Sequence, residues 1–193
     1  LEAQMSPAFA VCAADLDGDG HEDLLLSQNF FGLPGEVSRS DAGRGLWLRG
    51  DGRGGFSVVS ARESGIDIHG EQRAAALCDY DGDGRIDLVV TQNSAQTRLF
   101  KNSNARPGLR VRLRGPPGNP EGVGATIRLF QNDQASPARE IHAGSGYWSQ
   151  DSATQVMAIE RPNRIWVRWP GGKTTTGDVP TEAKGIEVRW DGE

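Results

Sequence analysis

The hydrophobic pattern of the first half consists of short apolar runs separated by turn residues. Two runs of small residues, at 8–14 and 74–78, each precede an aspartate-rich segment, and a second apolar run follows each segment at 24–27 and 88–91. Runs at 46–48, 56–59 and 97–102 complete the series. Apolar runs of this length, bounded by glycine and aspartate, are typical of strands. The pattern therefore predicts four-stranded units that repeat every 64 residues or so.

The second half, from residue 107 onward, has a different pattern. Leu109 to Arg114 alternate apolar and cationic side chains, which is typical of a strand with one buried and one wet face. Similar strands are predicted at 125–130, 165–169 and 186–190, with turns at 116–120 and 169–172. We expect an all-β chain, with a change of architecture near residue 105.

The two aspartate-rich segments are near copies of each other. Residues 15–29 and 79–93 align without gaps, and nine of the 15 positions are identical. In each copy four aspartates occupy loop positions 1, 3, 5 and 9, and glycines follow the second and third aspartates. Four carboxylates within nine residues repel one another unless a cation lies among them. The glycines allow the positive φ that turns successive carboxylates inward.

Oxygen-only donors favour a hard cation, with Ca²⁺ ahead of Mg²⁺. An EF-hand would need an acidic residue at loop position 12, where Leu26 and Val90 stand, and the same comparison weakens a dockerin interpretation. We therefore predict two β-hairpin Ca²⁺ sites, each with a backbone carbonyl ligand at position 7. The predicted ligands are Asp15, Asp17, Asp19, His21 and Asp23 in the first site, and Asp79, Asp81, Asp83, Arg85 and Asp87 in the second.

Composition narrows the classes of function. The net charge is −5, and residues 1–105 carry 9 Lys and Arg against 16 Asp and Glu, whereas residues 106–193 carry 12 against 10. An acidic chain without a concentrated basic patch is a poor candidate for nucleic-acid binding. No apolar stretch is long enough to span a membrane.

Cys12 and Cys78 are too few for a disulfide framework, and we expect buried free thiols, with a bridge between neighbouring strands as the alternative.

The doubled aspartate motif, together with Asn29-Phe30-Phe31-Gly32 and the Gly-Asp-Gly-x-Gly-Gly-Phe turn at 50–56, resembles FG-GAP/VCBS repeats, the integrin-α-like propeller blades. Residues 107–193 resemble the ASPIC/UnbV domain of cartilage-acidic-protein-like proteins. The matching segments are 111–115, 122–125, 143–150 and 167–172. The resemblance implies Ca²⁺-binding blades at 1–105, followed by a small β-sandwich-like domain at 106–193. Two blades cannot close a ring, so we expect an incomplete propeller that belongs to a longer protein.

Catalytic motifs are absent from the sequence in usable form. The segment Gly171 to Thr174 ends like a phosphate loop, but Val167 stands where its first glycine is required. The three histidines lie in unrelated contexts, so neither a zinc site nor a Ser-His-Asp arrangement is predicted. Tyr147 and Trp148, in a Gly/Ser-rich loop, are candidate ligand-binding residues, although core packing of Trp148 is the first expectation.

These inferences predict a non-enzymatic, calcium-binding scaffold of the adhesion type, secreted or otherwise extracytoplasmic. The expected partner is a protein or a glycan, in addition to the rest of a longer propeller. The alternatives are a carbohydrate-binding module, or an accessory fragment of a larger propeller enzyme or biosynthetic protein.

Overall fold

The computed structural model describes residues 2–192. After a 3-10 turn at Glu2–Gln4, the first repeat forms an antiparallel sheet with the strand order β1-β2-β3-β4. Its strands are β1 (Ala8–Ala14), β2 (Asp23–Gln28), β3 (Leu46–Gly50) and β4 (Phe56–Val59). A single helical turn, α1 (Ala61–Ser64), follows; the Ser60 side chain caps its start and Gly65 ends it in the left-handed conformation.

The second repeat forms a three-stranded antiparallel sheet with the order β5-β6-β7. Its strands are β5 (Glu71–Cys78), β6 (Asp87–Asn93) and β7 (Ala95–Phe100). The aspartate loops connect β1 to β2 and β5 to β6, so each loop closes the hairpin between the first two strands of its repeat. The predicted strands of both repeats are therefore confirmed, but the second repeat contributes three strands instead of four.

The two repeat sheets share one hydrophobic core. Ala10, Cys12 and Leu25 of the first sheet lie in the same buried cluster as Ala75 and Leu77 of the second. Small side chains on β1 and β5 allow these strands to approach closely, and the Cys12 thiol donates a hydrogen bond to the Ala75 carbonyl at 3.3 Å. The small-residue runs are therefore the contact between the repeats. Within residues 2–192 the two sheets do not close into a ring.

The C-terminal half contains two sheets around a second core. One sheet has the order β10-β9-β13-β14, with β11 also pairing with β9, and the other has the order β12-β8-β15. Their strands are β8 (Leu109–Arg114), β9 (Thr126–Gln131), β10 (Gln134–Ala135), β11 (Arg139–Glu140), β12 (Gln155–Met157), β13 (Arg164–Arg168), β14 (Thr174–Asp178) and β15 (Gly185–Arg189). β8 and β15 run parallel to each other. The shared core includes Val111, Ile127, Leu129, Val167 and Trp169.

The all-β prediction is confirmed, and the missed elements have simple causes. β14 has the sequence Thr-Thr-Thr-Gly-Asp and lies at a sheet edge, so no apolar run marks it. β10, β11 and β12 have two or three residues each and are stabilised by pairing rather than by pattern. The turn at Gly171 and Gly172 joins β13 to β14, as the hairpin interpretation of that segment predicted. The boundary near residue 105 stays a prediction.

Candidate metal centres

The first aspartate loop is wound around the carboxylate of Asp15. One Asp15 oxygen accepts hydrogen bonds from the backbone N–H groups of Gly18 at 2.7 Å and Asp19 at 3.0 Å. The other oxygen accepts from the N–H of Gly20 at 2.8 Å. Gly18 and Gly20 adopt φ of 76° and 93°, a region that L-residues rarely occupy. The loop glycines therefore supply the curvature that the sequence pattern predicts.

Asp23, at loop position 9, is fully buried and ties the loop to its sheet. Its Oδ2 accepts from the N–H of Leu16 at 3.0 Å, and its Oδ1 accepts from the N–H of Gly50 at 2.9 Å. Asp87 does the same in the second loop, accepting from Tyr80 at 3.1 Å and from Asn102 at 2.8 Å. Aspartate at position 9 is thus required by the backbone of each hairpin.

The second loop repeats the geometry of the first. Asp79 accepts from the N–H groups of Gly82 at 2.9 Å, Asp83 at 3.0 Å and Gly84 at 3.0 Å. Gly82 and Gly84 have φ of 78° and 82°. Each hydrogen bond of the Asp15 carboxylate therefore has a counterpart 64 residues later. A nearly identical sequence has folded into the same backbone hydrogen-bonding pattern twice.

Each loop brings three carboxylates together. Oxygen atoms of Asp15, Asp17 and Asp19 lie within 4.8 Å of one another in the first loop. Oxygen atoms of Asp79, Asp81 and Asp87 do so in the second. Asp23 and Asp83 lie outside these two groups, which differs from the predicted sets of four. The backbone carbonyls of His21 and Arg85 stay predicted ligands.

The electrostatics of the first loop favour a cation. The pKa of the Asp15 carboxyl is raised to about 6, chiefly by burial and also by the charge of Asp19, although hydrogen bonds from Gly20 and Gly18 and the charge of Arg139 oppose the shift. Burial also raises the pKa values of Asp23 and Asp87. Each of these carboxylates is thus less stable in its charged form than in water, and a cation among them reverses that cost. Three clustered carboxylates fit a hard ion such as Ca²⁺ or Mg²⁺.

Basic side chains that the sequence analysis missed already contact the loop carboxylates. Arg49 of β3 lies 2.7 Å from Asp17 in the first loop. Arg110 of β8 lies 2.9 Å from Asp79 in the second, and Lys101 pairs with Asp81 and lies 3.5 Å from Asp83. These residues come from other strands and connections, so the sequence of the loops does not predict their contacts. They partly balance the acidic charge of each loop.

Both loops also hold the connection between the two halves of the chain. The Asn102 side-chain amide donates to the carbonyl of Leu16 at 2.7 Å and to that of Ile86 at 3.1 Å, so it bridges the two loops. The N–H of Arg106 donates to Asp17 O at 3.1 Å, and the N–H of Gly108 donates to Gly84 O at 2.8 Å. The aspartate loops are therefore part of the junction between the repeat sheets and the C-terminal sheets.

Tyr147 and Trp148 lie at the surface. Trp148 is 92% exposed, so the expectation that it packs in the core is wrong. The local reason is its backbone: Trp148 has a φ of 49° in a tight loop bridged between Ser145 and Ser149, which turns the indole outward.

Cys12 and Cys78 are free thiols, as expected. Cys12 is buried, and burial raises the pKa of its thiol to about 12, whereas Cys78 is only partly buried.

Comparison with known proteins finds similarity in both halves. Residues 115–189 match the family described as ASPIC and UnbV. Cartilage acidic protein 1 of Mus musculus is 23% identical over 185 residues, which is 92% of this chain and 28% of the mouse protein. The Xenopus tropicalis protein of the same name is 24% identical over 184 residues, covering 90% of this chain and 27% of its own length.

A shorter similarity relates part of the chain to an integrin. Integrin alpha-4 of Xenopus laevis is 34% identical over 84 residues, which is 42% of this chain and 8% of the integrin. The chain thus spans little more than a quarter of the cartilage acidic proteins that it matches, and a small part of the integrin. None of the helices within residues 2–192 is long and apolar enough to cross a membrane.

Proposed function

We propose that this chain is a non-enzymatic interaction scaffold whose two aspartate loops bind Ca²⁺ outside the cytoplasm. The observation that carries the proposal is the duplication. Two loops 64 residues apart share the same hydrogen-bonding pattern, and each clusters three carboxylates within 4.8 Å. The backbone of each hairpin uses the aspartates at loop positions 1 and 9. Among the described residues, the carboxylates of Asp17, Asp19 and Asp81 accept backbone N–H groups only from within their own loops, so the hairpins do not account for these further carboxylates. A bound cation would be coordinated by the three carboxylates of each cluster and would neutralise their charge.

Bound Ca²⁺ would neutralise the clustered charge and lower the free energy of the folded state. In the first loop, Asp15, Asp17 and Asp19 would hold it. Because Asp17 also accepts the N–H of Arg106 through its backbone carbonyl, the ion would stiffen the connection to the C-terminal sheets. The second loop reaches the same connection through Gly84 and Gly108. We infer that calcium sets the rigidity of the junction.

The similarity to cartilage acidic protein 1 and to an integrin α chain supports an adhesion-type role over catalysis. It also supports a location outside the cytoplasm, where Ca²⁺ is abundant. Calcium modules of that environment have Kd values on the order of 10⁻⁴–10⁻³ M. A site of this strength is filled only where Ca²⁺ reaches the millimolar range. We therefore propose that the protein acts at the cell surface, in a secreted form or in the periplasm.

The contact between the repeats has an exposed counterpart in the first sheet. Ala75 and Leu77 of the second repeat are buried against the first sheet, with exposed fractions of 1% and 5%. Their counterparts 64 residues earlier are Val11, which is 52% exposed, and Ala13, which is also exposed. The positions that form the contact between repeats are therefore exposed in the first repeat, where Val11 and Ala13 line a cavity. We propose the rest of a longer propeller as a partner of the repeat sheets.

Thermal unfolding in 5 mM CaCl₂ (a concentration in the range of about 10⁻³ M), in MgCl₂ and in EDTA tests the calcium proposal. At tenfold excess over Kd, each occupied site adds about 1.4 kcal/mol to the free energy of unfolding. Asp17→Ala and Asp81→Ala should each lose this increment in calcium and change little in EDTA. Asp133→Ala, which removes an exposed carboxylate outside both loops, is the matched control. Equal losses in calcium and in EDTA would contradict a metal role for that loop.

A further inference from the structure

A cavity of about 540 Å³ lies beside strands β1 and β5, where the C-terminal half covers the repeat sheets. Its repeat-side wall includes Cys12 and Leu77, and its other wall is formed by residues 138–146 and 151–156. The volume lies within the range of small-molecule sites, about 300–1,000 Å³. Neither the clustering of the loop carboxylates nor the connection between the halves requires a cavity here.

The wall from the C-terminal half is anchored to the free edge of β5. Asp151 Oδ1 accepts the N–H of Leu77 at 2.7 Å, and the N–H of Ser152 donates to the Leu77 carbonyl at 2.9 Å. Gly146 packs so closely that an added Cβ would lie 3.1 Å from the Ala10 Cβ. The segment is therefore fixed on the repeat sheets, which gives the cavity a defined shape.

An aromatic platform directly follows the cavity wall. Tyr147 and Trp148 come immediately after residues 144–146 of that wall, and their rings stack with an interplanar angle of 19° and centroids 5.9 Å apart. Tyr147 in turn packs edge-on against Phe9, with centroids 5.6 Å apart, and the Arg73 guanidinium lies 4.0 Å from the Phe9 ring centre. Tyr147 is thus held in place by its contact with Phe9, while the indole of Trp148 is 92% exposed.

The backbone of Trp148 holds the indole in this position at a cost. A φ of 49° is unfavourable for a bulky residue by about 1–2 kcal/mol. The bridge between Ser145 and Ser149, together with the hydrogen bond from the Asp151 N–H to the Ser145 hydroxyl at 2.8 Å, imposes that conformation. Strain of this kind concentrates where a side chain must be presented for binding.

The polar groups of the cavity are suited to hydroxyl groups. Four carboxylates line it, from Glu22, Asp79, Glu140 and Asp151. Arg139 lies 2.9 Å from Glu22 and Arg110 lies 2.9 Å from Asp79, so in the part of the chain that the structure describes Glu140 and Asp151 are the two that have no Arg or Lys partner. Within residues 2–192, Asp151 Oδ2 accepts no hydrogen bond, so it is available to a ligand donor. A lining with this charge attracts donors and repels anions.

We propose that the cavity and the Tyr147–Trp148 platform together form a binding site for a neutral carbohydrate of two or three sugar units. A pyranose ring presents C–H groups on one face, which pack against an exposed aromatic ring, and hydroxyl groups at its edge, which donate to carboxylates. The acidic lining excludes uronic acids and sulfated glycans. A protein partner anchored by Trp148 alone would make no use of the cavity, whose wall residues 144–146 lead directly into the aromatic pair.

The test is a glycan array probed with the labelled full chain, followed by calorimetric titration of any neutral disaccharide or trisaccharide that binds. Trp148→Gly removes the indole and relieves the strained φ, so the variant should fold at least as stably as the parent. We expect it to weaken binding about tenfold or more. Phe56→Ala, which removes another half-exposed aromatic side chain on β4, is the matched control and should bind within about twofold of the parent.

Two further measurements separate the possible outcomes. Asp151→Asn keeps an acceptor for the Leu77 N–H but removes the charge, and should also weaken binding of the neutral glycan. All titrations are repeated in CaCl₂ and in EDTA, so a failure of the calcium proposal shows as a missing stability shift and not as missing sugar binding. Binding of sulfated glycans alone, equal binding by Trp148→Gly and Phe56→Ala, or no binding of any neutral glycan, as expected of a protein anchor, would each overturn the proposal.

Discussion

The two aspartate loops have the same internal hydrogen bonds but different surroundings. Inside, the carboxylates of Asp15 and Asp79 each accept three backbone N–H groups from equivalent positions. Outside, Gly18 lies against the backbone of Arg106, whereas Gly82 faces only the end of the Arg110 side chain. The local motif thus determines how each loop folds upon itself. The surrounding elements decide how tightly it is held and how much positive charge it meets.

The difference in charge is the clearest of these contrasts. The first loop meets Arg49 and, near Asp15, Arg139. Both are shared, because Arg49 also pairs with Glu63 at 3.1 Å and Arg139 with Glu22 at 2.9 Å. The second loop meets Arg110 and Lys101, and its own Arg85 lies 3.1 Å from Asp83. More positive charge opposes binding of a divalent cation. We therefore expect the second loop to bind Ca²⁺ more weakly than the first, although its sequence contains the same four aspartates.

The largest expected effect concerns the hydrogen bonds that Asp15 and Asp79 accept within their loops. Asp15→Ala should lower the free energy of unfolding by about 3–5 kcal/mol, because three backbone N–H groups lose their acceptor. Asp79→Ala should cost a similar amount, since its hydrogen bonds are equivalent. Urea unfolding in EDTA measures both without any contribution from metal. A loss confined to one of the two variants would show that the hydrogen bonds of Asp15 and Asp79 are not equivalent in solution.

A smaller effect should distinguish the surroundings. Gly18→Ala and Gly82→Ala impose the same strain, because φ is 76° and 78°, and each should lose about 1–2 kcal/mol from that cause. In Gly18→Ala the new Cβ would also lie 2.4 Å from the Arg106 carbonyl oxygen, which adds about 1–3 kcal/mol of overpacking. In Gly82→Ala its nearest neighbour is the flexible Arg110 side chain at 3.5 Å.

The same urea measurement compares these two glycine variants. Equal losses would show that the contact between the first loop and the Arg106 backbone is not maintained in solution. A larger loss for Gly82→Ala would reverse the contrast altogether.

The smallest effect concerns the charge around the second loop. Lys101→Ala should strengthen Ca²⁺ binding at that loop about two- to fivefold, since it removes a cation that pairs with Asp81. The side chain is half exposed, so solvent screening keeps the gain modest. Calorimetric titration of Asp17→Ala and Asp17→Ala/Lys101→Ala isolates the second site. Lys184→Ala, which removes an exposed lysine of the C-terminal half, should leave the affinity unchanged.

Much of the fold could be predicted from the sequence because its signals are local. Short apolar runs between glycine and aspartate mark the strands of both repeats, and the alternation of apolar and cationic residues marks β8. Strands without such a signal were missed, as Thr174–Asp178 shows: it is polar, lies at an edge, and is stabilised by pairing with β13. The outward position of Trp148 was also missed, because its left-handed backbone depends on a bridge between Ser145 and Ser149.

The candidate sites divide in the same way. The sequence by itself determined the two aspartate loops and their positive-φ glycines and predicted a hard cation, since all of these inferences rest on residues within nine positions of one another. The tertiary structure decided which of Arg49, Lys101 and Arg110 meet the loop carboxylates, and that a cavity lies beside the segment that leads into Tyr147. Lys101 lies 20 positions from Asp81, Arg49 lies 32 from Asp17, and Tyr147 lies 138 from Phe9. Such residues meet only because strands from separate parts of the chain pack together.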